Sequence, residues 1–463
     1  MQKVNSRLLV LEMLLSVTKD GQGVHSHIAV REVLNKYNYL SQQEKSFIKR
    51  LFEGTLERMI ELDYCINCFS KVPTKKIKPV ILMILRMSVY QFLYMDSVPD
   101  AAACNEAVKL AQMKGFTSLK GFVNGVLRTI ARNKDAIEYP NASVAYSMPE
   151  WIVELWTNQL GTEKTEQLLR SLLIERPVSI RFRRKETIEN DIAALKAMLD
   201  EHGGKITSIP YLPYAYQISR TDDITKLAGY ESGAFVVQDV SSMLAVEALQ
   251  AGNFFQRFCT ENAMPLVAVD ICAAPGGKSM LLADLLESEG ITDYTIRAGD
   301  SAGSKVLLMK ENCRRCGLEK IAVTTWDAVK PCADLEGKAD IVIADVPCSG
   351  LGVIGKKRDI KYKISPDAIE ELVELQRRIL RTAAGYLKQG GRLLFCTCTI
   401  NQKENEENTA WIMKELKLMP VSFADALPQQ VRADITEQRY LQLFPDRQMA
   451  DGFFISIFTK TVA

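Results

Sequence analysis

Histidine is scarce in this sequence: there are three in 463 residues, at positions 25, 27 and 202. None stands beside Cys65 and Cys68 or beside Cys313 and Cys316, the two cysteine pairs with ligand-like spacing. A zinc site needs four nitrogen or sulfur donors, usually two such pairs or one pair with histidines. No metal is therefore expected, and these thiols read as small buried apolar residues. Net charge is scarce too, with 58 Lys and Arg against 56 Asp and Glu, or +2. Any nucleic-acid binding must then come from local basic patches. Long apolar runs are missing. Val80 to Met95 is interrupted by Arg86 and Gln91 and falls short of the roughly 20 apolar residues of a membrane span. Lys3, Arg7 and Glu12 break up the first stretch, so no signal peptide is expected. Eleven cysteines without an export signal point to free thiols in a reducing cytoplasm. The glycine turn at Gly276 and Gly277 lacks the G-x-G-x-x-G and P-loop patterns, which turns attention away from nicotinamide, flavin and nucleoside triphosphates there.

The length predicts two or three domains. Residues 5 to about 135 repeat apolar positions at helical spacing, as in Leu8, Leu11, Leu14 and Leu15, or Ile81, Leu82, Leu85, Val89 and Leu93. This predicts an all-α domain over 1–140. After a linker-like stretch, residues 145–230 mix helical segments with the strand-like "VSIRFRR" and a helix, "ENDIAALKAMLDEHGG", that ends on glycines. A small α+β segment that binds RNA is expected there. From 231 to 463, "LVAVDI", "TIRAG", "IAVTT", "DIVIAD", "RLLFCT" and "FFISIF" alternate with helical stretches. That alternation predicts an α/β, doubly wound, Rossmann-like sheet, which binds ligands at the carboxyl ends of its strands.

"VAVDICAAPGGKSMLLADLL" reads as strand, glycine turn and helix. Asp270 ends the strand, and Gly276 and Gly277 admit a close ligand. The free N–H groups of the helix start suit a carboxylate or phosphate. Asp300, Asp327 and Asp345 each follow a later strand. A carboxylate at Asp300 can accept from ribose hydroxyls, and one at Asp327 from an adenine amino group. Such a row of acids repels phosphates and suits a positively charged nucleoside, namely S-adenosylmethionine. Each acid taken singly also fits a helix cap or loop.

The same edge carries two cysteines, Cys348 in "DVPCSGLGV" and Cys398 in "CTCTINQKENEE". Carbon 5 of cytosine is a poor nucleophile until a thiolate adds to carbon 6. The chemistry needs an activated cysteine, an acid near N3 and a base for the carbon 5 proton. Cys398 is the expected nucleophile, because Asn401 and Glu404 read as a capping box that would put its thiol at a helix N-terminus and favour thiolate. Cys348 follows Pro347 toward the same edge and is expected to assist release. Cys396 alternates with Cys398 and is expected to be structural.

These segments, with "RDIKYK" and the closing "DGFFISIF", resemble the motifs of the RNA cytosine-5 methyltransferases. The front half, in "RLFEGTLERMIELDYCI", "LRMSVYQFLYMDSVPDAAACNEAVKLA" and "GFVNGVLR", resembles a NusB-like domain, which implies that residues 1–140 bind RNA. The combination is similar to the bacterial Sun or RsmB family, which methylates a cytosine in 16S ribosomal RNA. The resemblance implies that Cys272, Ala273, Ala274, Pro275, Gly276, Gly277 and Lys278 bind S-adenosylmethionine with Asp300, Asp327 and Asp345. It implies Cys398 as nucleophile, Cys348 as the releasing cysteine, and Lys278 and Asp345 lining the base pocket, with Asp345 at N3. It further implies a cytoplasmic monomer whose partner is RNA, most of all 16S ribosomal RNA, with no DNA and no membrane. The family usually has Ser where this chain has Thr399, which keeps a hydroxyl. It usually has Arg where this chain has Lys305, which keeps charge without the planar fork and bears on cofactor affinity.

Basic residues cluster at Lys75, Lys76 and Lys78; at Arg181, Arg183, Arg184 and Lys185; and at Lys356, Lys357, Arg358, Lys361 and Lys363. The first cluster reads as solvated surface. The last, beside Cys348 and with Tyr362 available for stacking, is expected to contact phosphates, which position RNA without choosing the base. Three other readings stand beside this one: a transfer RNA cytosine-5 methyltransferase; a NusB-like RNA-binding factor with an inactive methyltransferase domain; and an amino-group methyltransferase. The last would favour Asp/Asn-Pro-Pro-aromatic where this chain has Asp345-Val346-Pro347-Cys348.

Overall fold

The structure, a computed structural model, describes residues 4–19, 24–183, 188–221, 223–261, 265–445 and 449–461. The chain divides into two compact units, Met1–Leu173 with Ile354–Lys363, and Ile174–Val353 with Ile364–Ala463.

The first unit is helical: α1 (Ser6–Val17), α2 (Ser26–Lys36), α3 (Gln42–Glu57), α4 (Met59–Phe69), α5 (Pro79–Tyr94), α6 (Asp100–Met113), α7 (Lys120–Asn133), α8 (Ala142–Ala145), α9 (Glu150–Leu160) and α10 (Thr162–Leu172). A capping box of Ser41 and Glu44 starts α3, which satisfies N–H groups that have no carbonyl one turn earlier. Helix α5 opens on Pro79 and buries residues on nearly every side, among them Ile81, Ile84, Leu85 and Val89. That central position explains the apolar run, and it packs with Leu14, Leu51, Leu62, Ala111 and Leu127 in one core.

The second unit holds two sheets. A small antiparallel sheet has the order β2-β3-β1-β4 and comprises β1 (Val178–Phe182), β2 (Lys205–Ile209), β3 (Leu212–Ser219) and β4 (Phe235–Val237), with α11 (Ile188–Glu201) between β1 and β2. Then come α12 (Val240–Glu247), α13 (Phe254–Glu261), β5 (Leu266–Asp270), α14 (Gly277–Ser288), β6 (Tyr294–Asp300), α15 (Gly303–Arg315), β7 (Ile321–Thr325) and β8 (Ala339–Asp345). Helix α16 (Ile360–Lys363) follows within the segment that belongs to the helical unit. The chain returns through α17 (Pro366–Tyr386), β9 (Leu387–Thr397), α18 (Glu406–Glu415), β10 (Met419–Pro420), α19 (Gln429–Arg432), β11 (Tyr440–Leu443) and β12 (Phe453–Thr459). The larger sheet runs β10-β12-β9-β8-β5-β6-β7, with β11 on β12. Strands β5 to β9 are parallel and β12 is antiparallel to β9. Val342, Ile343 and Leu394 on these strands are fully buried, as expected for a sheet covered on both faces.

The expectation for the last basic cluster is corrected here, and the second cluster also turns inward. In the last cluster, three expected RNA contacts are occupied inside the helical unit. Arg358 pairs with Glu53 and Glu57 at 3.0 Å each. Lys361 is buried and donates to the carbonyls of Glu57 and Ser147 at 2.7 and 2.5 Å. Tyr362 packs on the helical core, and Ser26 Oγ donates to Asp359. Lys356, Lys357 and Lys363 are exposed. In the second cluster, Arg181 and Arg183 are buried against Asp284 of α14, with Arg181 Nη1 2.5 Å from Oδ2 and Arg183 Nε 2.9 Å from Oδ1. Two guanidinium groups on one acid provide the pairing that buried charge requires. Arg184 and Lys185 lie outside the described residues. No helix among the described residues is long and apolar enough to cross a membrane.

Candidate active site

Strand β5 is where the sheet order reverses, with β6 and β7 on one side and β8 and β9 on the other. Open α/β sheets bind ligands at such a point. In register, Asp270 lies opposite Ala298 of β6 and Ile343 of β8, while Asp345 lies opposite Cys396 of β9. Most of the candidate residues therefore share one strand edge.

The turn from β5 into α14 is folded back on β6. Ala273 N donates to Gly299 O at 2.8 Å, and Gly276 N to Ala273 O at 2.7 Å. Gly276 has φ +99° at the helix start, and a Cβ there would sit 2.9 Å from Met309 Cγ; only glycine takes this conformation without strain. The Ala274–Pro275 bond is cis, and Asn312 Nδ2 donates to Pro275 O at 3.2 Å. Burial, with the charges of Asp270, Asp345 and Asp300, pushes the Cys272 thiol far above its usual range. Asp270 is fully buried. Its Oδ2 accepts from Ser279 Oγ at 2.6 Å, its Oδ1 has no partner, and burial raises its pKa to about 7.

Asp300 is almost buried. Its Oδ1 accepts from Ala302 N at 3.0 Å, and Oδ2 lies 3.7 Å from the ammonium of the exposed Lys305. Asp327 is half exposed, accepting from Val329 N at 3.1 Å and facing Lys330 at 3.6 Å. Neither of these contacts joins it to the other candidates. Between them Trp326, which sequence reasoning did not single out, donates from Nε1 to Ile271 O at 2.8 Å and ties the end of β7 to the turn.

Two pairs form. Lys278 Nζ bonds Asp345 Oδ2 at 2.5 Å and lies 5.1 Å from the centre of the Phe453 ring. Burial disfavours the lysine's charge, but Asp345, with Cys396 and Asp270, outweighs it and holds the pKa above the ordinary value. The sulfurs of Cys348 and Cys398 lie 3.3 Å apart. The bond with Cys398, then burial, pushes the Cys348 thiol well above its usual range. Either thiol can be the donor in this bond. Cys396 is buried among Asp345, Lys278 and Asp270.

The expected capping box after Cys398 is corrected. The helix starts later, at Glu406 with Asn405 as its cap. Asn401 Nδ2 instead bonds Glu404 Oε2 at 2.9 Å. Asn405 holds both flanks of Cys398, accepting from Thr397 Oγ1 at 2.6 Å and donating to Thr399 O at 3.1 Å. The Thr399 hydroxyl is used, 2.7 Å from Ser349 Oγ. Gly352 N donates to Cys398 O at 3.1 Å, and a Cβ on Gly352 would meet Gly452 O at 2.0 Å. The glycines of "CSGLGV" and "DGFF" are thus needed for close approach. Polar Ser349, Gln376 and Asn405 close in the folded chain carried no signal beyond their polarity in the sequence.

The profile of the family described as 16S rRNA methyltransferase RsmB/F matches residues 261–459, and that of the NusB family residues 4–132. A probable ribosomal RNA small subunit methyltransferase B of Bacillus subtilis is 34% identical over 99% of this chain and 100% of its own length. A protein of the same description from Synechocystis is 29% identical over the same shares. The crystal structure of PH0851 superposes with a TM-score of 0.78 at 24% identity, covering 99% of both chains, and supports the fold. With a NusB domain, a methyltransferase domain and full-length likeness to these relatives, the chain belongs to the ribosomal RNA small subunit methyltransferase B family.

Proposed function

We propose that this RNA methyltransferase moves a methyl group from S-adenosylmethionine to carbon 5 of a cytosine in 16S ribosomal RNA, through a cysteine adduct at carbon 6. The observation that carries the reading is the Cys348–Cys398 pair, 3.3 Å apart at the sheet edge that also bears the acid-lined glycine turn. The residues present suit S-adenosylmethionine. The first N–H groups of α14 have no carbonyl one turn earlier and suit its carboxylate. Asp300 and Asp327 suit its hydroxyl and amino donors, and Asp270 keeps an orphaned acceptor. Lys278 is engaged by Asp345, which leaves the turn acidic and unfit for phosphate. When bound, S-adenosylmethionine supplies an electrophilic methyl group.

The chain's own residues do the rest. Cys398 Sγ adds to carbon 6 as the thiolate, and the Cys348 thiol beside it can donate to that anion. Asp345, oriented by Lys278, faces N3: the addition draws a proton from this pair onto N3, and the elimination returns it. Carbon 5 becomes enamine-like and takes the methyl group. In the elimination that follows, Cys348 gives its thiol proton to the departing Cys398 sulfur and takes the carbon 5 proton in return. The target base must leave its stack to reach this edge.

The test is incubation with S-adenosylmethionine and unmethylated 16S ribosomal RNA, followed by nucleoside mass spectrometry. 5-Methylcytidine is expected from the wild type and not from Cys398→Ala. Product formed only on transfer RNA would replace the substrate and keep the chemistry. Undiminished product with Cys398→Ala would sink the adduct.

A further inference from the structure

Cys348 and Cys398 lie on loops that follow different strands, 50 residues apart in sequence, and their sulfurs are 3.3 Å apart. One buried carboxylate joins the two loops. Glu404 is fully buried. Its Oε1 accepts from Ser349 N at 2.8 Å and Gln376 Nε2 at 3.0 Å; its Oε2 accepts from Ser349 Oγ and from Asn401 Nδ2 at 2.9 Å. Ser349 has one hydroxyl proton and gives it to Glu404, so Thr399 must be the donor in the 2.7 Å bond between the two hydroxyls. A directed chain results, from Thr399 to Ser349 to Glu404. Gln376 Nε2 also donates to Pro347 O at 2.9 Å. The residues on both sides of Cys348, and the residue after Cys398, are thus referred to one group.

We infer that Glu404 is a positioning residue of methyl transfer, setting the placement of the releasing cysteine relative to the nucleophile. The inference rests on the roles proposed above for the two cysteines. An amide at this buried position brings an N–H against a set of four donors. A donor left unpaired there, or turned away, costs the geometry that the carboxylate imposes. Since effects on placement of about 1 Å are felt in the chemical step, the loss should appear in turnover rather than in substrate binding.

The experiment compares wild type, Glu404→Gln, Thr399→Val and Thr399→Ser. It reads kcat, KM for RNA, cofactor affinity, melting temperature, and the ratio of iodoacetamide labelling at Cys348 and Cys398 by mass spectrometry. Glu404→Gln is expected to lower kcat at least tenfold, with KM and cofactor affinity within twofold, and to shift the labelling ratio at least fivefold. Thr399→Val keeps the shape of the side chain and cuts only the hydroxyl bond between Thr399 and Ser349; it is expected to lower kcat several-fold, and Thr399→Ser to restore it. Wild-type kcat and labelling ratio in both Glu404→Gln and Thr399→Val would overturn the inference. So would a loss in Glu404→Gln that follows KM or melting temperature alone while Thr399→Val behaves as wild type. If the wild type methylates no RNA, the proposed function fails. The labelling ratio, which needs no RNA, then decides the inference by itself: a shift supports it and no shift overturns it.

Discussion

Lys278 is a buried cation in short contact with Asp345, which together with Cys396 and Asp270 favours its charge. Lys278→Met removes that contact and leaves the carboxylate facing an apolar side chain. Stability is expected to fall by about 1.5–3 kcal/mol, the usual range for a hydrogen bond to a charged group, and methylation at least tenfold, checked by urea titration and single-turnover assay. Asp300→Asn keeps the side chain's size and its bond to Ala302 while removing the charge that suits the ribose hydroxyls. Cofactor affinity is expected to drop at least tenfold, about 1.4 kcal/mol, by calorimetry. Cys348→Ala removes the releasing thiol and keeps the nucleophile; a covalent protein–RNA band is expected on a denaturing gel, and its absence would take the release role from Cys348. The candidate residues could be placed at the sheet edge from the sequence, because thiols, acids and glycines directly after strands are located by periodicity. Glu404 was legible only as a cap. Its actual partners, Ser349 and Gln376, lie 55 and 28 residues away, and no local pattern encodes contacts at that range.

At the scale of elements, the segment Ile354–Lys363 shows charge used inward. Its cations read as a phosphate-binding run. Yet Arg358 is held by Glu53 and Glu57, and Lys361 is driven inward onto two carbonyls. Burial lowers the Lys361 pKa to about 7, against an ordinary 10.5. Between those values the unfolded chain binds a proton that the folded chain does not, so this group's contribution to stability rises with pH over that window and is lost as pH falls through about 7. Lys361→Met has no such term. The stability of wild type relative to Lys361→Met, by urea midpoint, is therefore expected to increase between pH 7 and pH 10, and a constant difference would show that the lysine does not change charge. Helices and buried strands such as α5, β8 and β12 were evident from their apolar periodicity. The short strands β10 and β11 were not, since two and four residues are too few for a period to register and pair only because β12 is already in place.

For the whole molecule, a net charge of +2 leaves RNA affinity to local groups. Of the run beside Cys348, Lys356 and Lys357 remain exposed. Neutralising both to Ala is expected to weaken binding to every RNA tested. It should also flatten the slope of log affinity against log salt by about one to two, as expected when one or two phosphate contacts are lost. Unchanged affinity and slope would remove this run from the interface altogether. The sequence by itself determined the helical and the α/β halves, and the sheet edge on which the candidate acids, glycines and cysteines gather. Each of these follows from a period of 3.6 or 2 and from the residue that ends it. Only the tertiary structure decided which charges face inward, where the helix after Cys398 begins, and that one buried carboxylate couples the loops of Cys348 and Cys398. Those outcomes depend on which distant donors and acids meet in a site closed to water, where an unpaired polar group is costly enough to override what its neighbours in sequence would favour.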